Sequence, residues 1–195
     1  MRAAWHALAV LGLLTLVAAA GIGIKYGRYY DDLRALDPEA GQIYAAMARE
    51  LLETGSAPAA SVRAVEVDEG LTVGDVERVM RFVANQHNIA NVGELPLSRQ
   101  VEKMTGEPFR FVKIYMLCDP LTAKRMLQHD DAYAAYLPCR ITLVEDVEGR
   151  LWLYTLNMDF MIHGGAPLPE DLRKEAEEVR RTIYDIMDRA ARGAF

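Results

Sequence analysis

The chain has 195 residues, 51% of them hydrophobic and 26% charged, with a formal net charge of −6. That length gives one domain and an appendage, and the composition suits a packed globular body. Basic residues are interleaved with acidic ones and form no basic patch, which sets nucleic-acid binding aside. Two cysteines 21 positions apart fit neither a disulfide-dense scaffold nor a zinc site of four clustered ligands.

Residues 7–24 form an uncharged apolar run of 18, at the lower edge of what spans a bilayer as a helix. Arg2 precedes it, and Lys25 and Arg28 come after it. Ala18-Ala19-Ala20 offers a small-residue cleavage site, so one reading is a signal peptide. The other, which we favour, is a retained single-pass anchor. In it Lys25, Tyr26, Tyr29 and Tyr30 sit at the membrane interface. The local positive-charge count leans towards a cytoplasmic body. Segments built like signal sequences, however, usually export the chain downstream of them, and Asp31, Asp32 and Asp37 dilute the charge. The expected address is therefore the membrane, with the main domain on the periplasmic side.

Residues 31–61 read as a spacer helix and a linker. Pro38 suits a first helical turn, Ile43, Met47 and Leu51 form a stripe, and TGSAPAAS breaks the pattern. The main domain, residues 62–195, opens with a short strand at 62–67. A helix over 73–86 buries Val76, Val79, Met80 and Val83 on one face. Residues 89–97 read as a strand and 98–104 as a short helix. Residues 109–118 form a strand rich in aromatic and branched types. Asp119-Pro120 opens a helix to about Tyr136. Strands 139–145 and 151–158 flank Asp146-Val147-Glu148-Gly149, a hairpin signal. An amphipathic helix over 168–191 ends the chain. Strands with helices gathered on one face predict an α+β two-layer sandwich with a mainly antiparallel sheet.

Strand polarity matches the strand ends on paper. Cys118 ends one strand and Cys139 starts another, and the hairpin returns to that end at Asn157-Met158. His87 lies just before the 89–97 strand, while Met161 and His163 sit on the exit loop. These seven residues are the candidate ligand or redox set. Three readings stand: a disulfide, a soft-metal or haem-iron site that takes copper or haem, and two buried thiols acting as small apolar residues. Cys-x-x-Cys-His is missing, so covalent c-type haem attachment is excluded. The aromatic set Phe111, Tyr115, Trp152 and Tyr154 alternates along strands, for which core packing is the default. An open face for a ligand or a second subunit is the alternative. Ser56, Ser61 and Ser98 sit on no nucleophile elbow, so a hydrolase is not expected.

The segment NIANVGELPLSRQVEKMTG, the strand ending in Cys118-Asp119-Pro120, the run LPCRITLVED with EGRLWLYTLN, and MDFMIHGG together resemble the domain-of-unknown-function 302 family. In particular they resemble its membrane-anchored bacterial branch. The resemblance covers residues 62–165. It implies a curved antiparallel sheet under helices, like the TATA-box-binding protein, and no settled activity. Cys118-Asp119-Pro120 stands where the commoner branch has a Gly-Asn-Pro type turn. The sequence therefore leads to the expectation of a non-catalytic membrane-anchored binding or accessory module. Its partners would be the bilayer and a membrane electron-transfer assembly or a second copy. The alternative is a redox, metal or haem protein built on Cys118 and Cys139.

Overall fold

The computed structural model describes residues 2–195, and the side chains of Arg2, Ala3, Ala4, Ala7 and Arg28 are outside the described set. The first helix, α1 (Arg2–Arg34), runs well past the apolar stretch. Within it Leu8–Gly27, 20 residues of mean hydropathy 2.1, is wholly exposed. At ~1.5 Å per residue this stretch is about 30 Å long, the thickness of a bilayer core. A signal sequence has the same length and composition.

After a turn, α2 (Ala40–Thr54) ends on Gly55, whose φ of 66° places it in the left-handed region. The predicted spacer helix is docked. Tyr44 donates its hydroxyl proton to the Gly164 carbonyl at 2.8 Å and meets the Phe160 ring edge-on. A single turn, α3 (Ala57–Ala60), leads into β1 (Val62–Glu66). Helix α4 (Val73–Gln86) starts with a reciprocal cap between Thr72 and Asp75. Then come β2 (Ala90–Leu95), α5 (Leu97–Thr105) and β3 (Val112–Cys118).

The helix expected up to Tyr136 stops early. α6 (Pro120–His129) ends at Asp130, whose extended backbone and side-chain cap start a separate 3-10 turn over Asp131–Ala135. β4 (Cys139–Glu145) and β5 (Leu151–Leu156) form the hairpin. In its turn Asp146 Oδ1 accepts from the Glu148 and Arg150 amides, and Gly149 sits at φ 82°. The predicted strand to Met158 ends at Leu156, and residues read as an exit loop form α7 (Met158–His163). α8 (Glu170–Ala191) closes the domain.

The five strands form one antiparallel sheet in the order β1-β5-β4-β3-β2. The fold is α+β. Alternation along each strand sends Tyr115, Leu117, Cys139, Ile141, Leu143 and Leu153 to one face. There they pack against Val76, Val79 and Val83 of α4 and Ile183, Ile186 and Met187 of α8. The residues between them point the other way. Val112, Ile114, Met116, Thr142, Val144, Trp152, Tyr154 and Leu156 occupy the face opposite the one packed against α4 and α8. All eight remain partly exposed, and Trp152 stacks beside Tyr154 at 6.2 Å between ring centroids.

Candidate functional site

The sulfur residues meet at one rim of the sheet. Cys139 lies opposite Leu117, so Cys118 stands one step beyond its cross-strand partner and opposite Ala90. Asp119 then caps α6, accepting from the Leu121 and Thr122 amides at 2.9 and 3.2 Å, which aims Met126 back at the rim. Asn157 does the same for α7, accepting from the Asp159 and Phe160 amides at 3.0 and 3.2 Å. Met158 and Met161 on α7 complete the ring, and Ala176 and Val179 of α8 close it. Cys118, Cys139, Met126, Met158 and Met161 thus line a single apolar cavity of about 20 Å³. That is room for one water or one ion and far too little for a haem.

Both cysteines are free thiols. Burial pushes the Cys139 thiol up to about 11, with Cys118 adding to the shift. Burial, then Asp119, raises Cys118 as well. Protonated thiols are poor nucleophiles, and the rim gathers five sulfur side chains around one cavity. With iodoacetamide at pH 8 we expect one faster thiol, the half-buried Cys118. Cys139 should react slowly, since about one part in a thousand is thiolate there. Equal native rates for the two thiols would contradict this geometry.

The structure places the other candidates elsewhere. His87 caps α4, and its Nε2 lies 2.9 Å from Asp185 Oδ2, so it joins α4 to α8 away from the sulfur cavity. His163 is 2% exposed and turns towards Asp37, its Nδ1 3.2 Å from Asp37 Oδ2. Each histidine is thus held by a carboxylate on a different element, and neither lines the sulfur cavity.

Sequence reasoning missed an ionic cluster on the helix-covered face. Lys113 Nζ lies 2.7 Å from Glu77 Oε1 and 2.6 Å from Glu94 Oε2, and the Tyr115 hydroxyl donates to Glu77 at 2.6 Å. Burial alone would raise Glu77, but the hydrogen bonds from Lys113 and Tyr115 outweigh it and hold the carboxyl below its usual range. The cluster borders a cavity of about 680 Å³. The available signal was parity, since Lys113 shares the face of Tyr115 and Leu117, where a lone cation needs partners.

Comparison with curated proteins finds no match. Among solved structures the chain is similar to an uncharacterized conserved protein DUF302 from Bacillus stearothermophilus. The identity is 15% and the TM-score 0.53, over 66% of this chain and 97% of that one, a likeness of fold. The family described as "Domain of unknown function DUF302" matches residues 63–190, taking in α8, which the sequence resemblance had left out. With the match spanning every strand of the sheet and both covering helices, this chain belongs to the DUF302 family.

Proposed function

We propose that the chain is a membrane-tethered, non-catalytic binding module, carried on the exported side, that works through its bare sheet face. The single observation carrying this reading is the one-sided burial: α4 and α8 cover one face of the sheet while the other presents aromatic and branched side chains. Exposed contiguous apolar surface on a folded domain marks an interaction site. The wholly exposed Leu8–Gly27 stretch supports the tether, and its signal-like placement supports export. The occupant we assign is a second copy of the chain, with service as an accessory subunit in a membrane assembly as the wider setting.

Size and charge favour self-association. Five strands ~4.8 Å apart and some six residues long at ~3.3 Å each give a face of roughly 500 Å² in projection. With rim side chains this approaches the ~800 Å² per partner of a standard interface. Charged side chains of both signs lie on it or at its edge: Arg140, Glu66, and Arg150, which is 3.7 Å from Glu66 and lies over the Trp152 ring. A two-fold axis can bring Arg140 to an acidic group of the second copy. Thr142 lies at the centre, opposite Ile114 and Tyr154. We expect the full chain in detergent to sediment as a dimer, and Thr142→Arg to weaken association at least ~100-fold by burying like charges across the axis. A wild-type chain that stays monomeric at tens of micromolar protein (~50 μM) would remove the reading.

A second reading rests on the shared sulfur cavity: a soft monovalent metal ion such as copper(I), for which thiol and thioether donors are selective. Repeating the alkylation with copper(I) present tests it. Protection of Cys118 supports the reading, and unchanged labelling rules it out.

A further inference from the structure

We propose that Asp37, Glu39 and His163 form a second site, for a divalent metal ion of the zinc class, at the joint between the N-terminal helix and the domain. One ligand atom from each of the three lies within 4.8 Å of the others. Asp37 and His163 are 7% and 2% exposed, whereas Glu39 is exposed at the mouth of a cavity of about 320 Å³ shared with Pro167, Leu168 and Arg173.

The spacing suits coordination. Zinc bonds to nitrogen and oxygen are ~2.0–2.1 Å, so neighbouring ligands of a tetrahedral ion stand about 3.3 Å apart. His163 Nδ1 and Asp37 Oδ2 are already 3.2 Å apart, and a Glu39 carboxylate oxygen lies within 4.8 Å of a ligand atom of each. The fourth corner opens to the cavity and is left to water. Behind the imidazole, Nε2 faces Glu177 Oε1 at 3.7 Å, on the side where an outer carboxylate orients a ligating histidine.

Charge points the same way. Glu177 is answered from its own helix by Arg173 at 3.4 Å and Arg181 at 3.9 Å. Among the described residues no lysine or arginine nitrogen lies within 4.0 Å of Asp37 or Glu39. Arg173 lines the same cavity, and against the upward push of burial its charge helps to lower the Asp37 carboxyl, while its guanidinium reaches Glu177. The Glu39 amide donates to Asp37 Oδ1 at 2.9 Å, which keeps residue 39 beside Asp37 at the start of α2. A metal ion would use the second carboxylate placed there together with the imidazole brought in by α7.

This site is independent of the sheet-face reading and differs from the sulfur cavity in its donors, nitrogen and oxygen only. The test uses the full chain in detergent, stripped with a chelator and titrated with zinc chloride in a calorimeter, then with cobalt(II). The expected result is one equivalent of zinc. Cobalt(II) should show weak visible bands without a sulfur-to-metal charge-transfer band. Glu39→Gln, exposed and outside the core, should weaken zinc binding at least ~10-fold, and Asp37→Asn should do the same. His163→Ala should abolish binding if it folds, and Glu39→Gln carries the test if it does not. No zinc uptake, a sulfur charge-transfer band at the first equivalent, or unchanged affinity in Glu39→Gln would each overturn the proposal.

Discussion

Leu153→Ala should destabilise the domain by about 3–5 kcal/mol, the largest single-residue effect expected outside α1. Leu153 sits on β5 beside Leu143 of β4, both fully buried, under Ile183 and Ile186 of α8. Truncation removes three carbons from a site walled by two strands and a long helix. The backbone there is paired on both sides, by β1 and β4, so it has little room to collapse into the gap. The measurement is urea unfolding of detergent-solubilised full chain, tracked by near-ultraviolet circular dichroism. A loss under ~1 kcal/mol would show that α8 does not press on the sheet as described. By contrast, Thr142→Arg should leave the unfolding midpoint of the dissociated chain nearly unchanged, since Thr142 lies on the face away from the core packed under α4 and α8.

Lys113→Met should cost about 2–3 kcal/mol near neutral pH. It strands Glu77 and Glu94, with side chains 18% and 33% exposed, beside each other and without their cation. The pH dependence identifies the cause. In the wild type both carboxyls are held below their unfolded value of 4.5, and the Lys113 ammonium is raised above 10.5. Stability from the carboxylates is fully present above pH 4.5 and is lost as pH falls through their lower folded values. The lysine contribution is full below pH 10.5 and disappears as pH rises through its raised value. Without the lysine, Glu77 and Glu94 protonate more readily, so the gap between variant and wild type should narrow on acidification below pH 4.5. A gap that stays constant from pH 7 to about pH 3.5 would mean lost packing of the lysine stem instead.

The fold was largely legible because its signals are local. Alternation in β3 and β4, the Asp146–Gly149 turn and the stripes of α4 and α8 each fit within a short window. Strand polarity then brought Cys118, Cys139 and Met158 to one rim, and the structure adds Met126 from α6. The features that escaped are short or distant. Six residues are too few for a helical period, so α7 read as a loop although Asn157 stood ready to cap it. Asp130 broke a helix whose composition alone would have continued. Asp37 and His163 meet across 126 positions, which no window sees. Alternation likewise sorted Tyr115 from Trp152 and Tyr154 only up to a choice of sides. Which side the helices cover depends on the chain's path.

The overrun of α1 beyond Gly27 sets an altitude. Seven more helical residues to Arg34 give a rise of about 10 Å, and the chain is pinned to the domain at Asp37, whose amide donates to the Gly165 carbonyl at 2.8 Å. With Leu8–Gly27 in a bilayer, the leash is only as long as the headgroup layer is deep, and it is knotted at both ends. In that setting the domain would skim the lipid surface instead of swinging above it, and a partner that meets it there would have to stand at its own height.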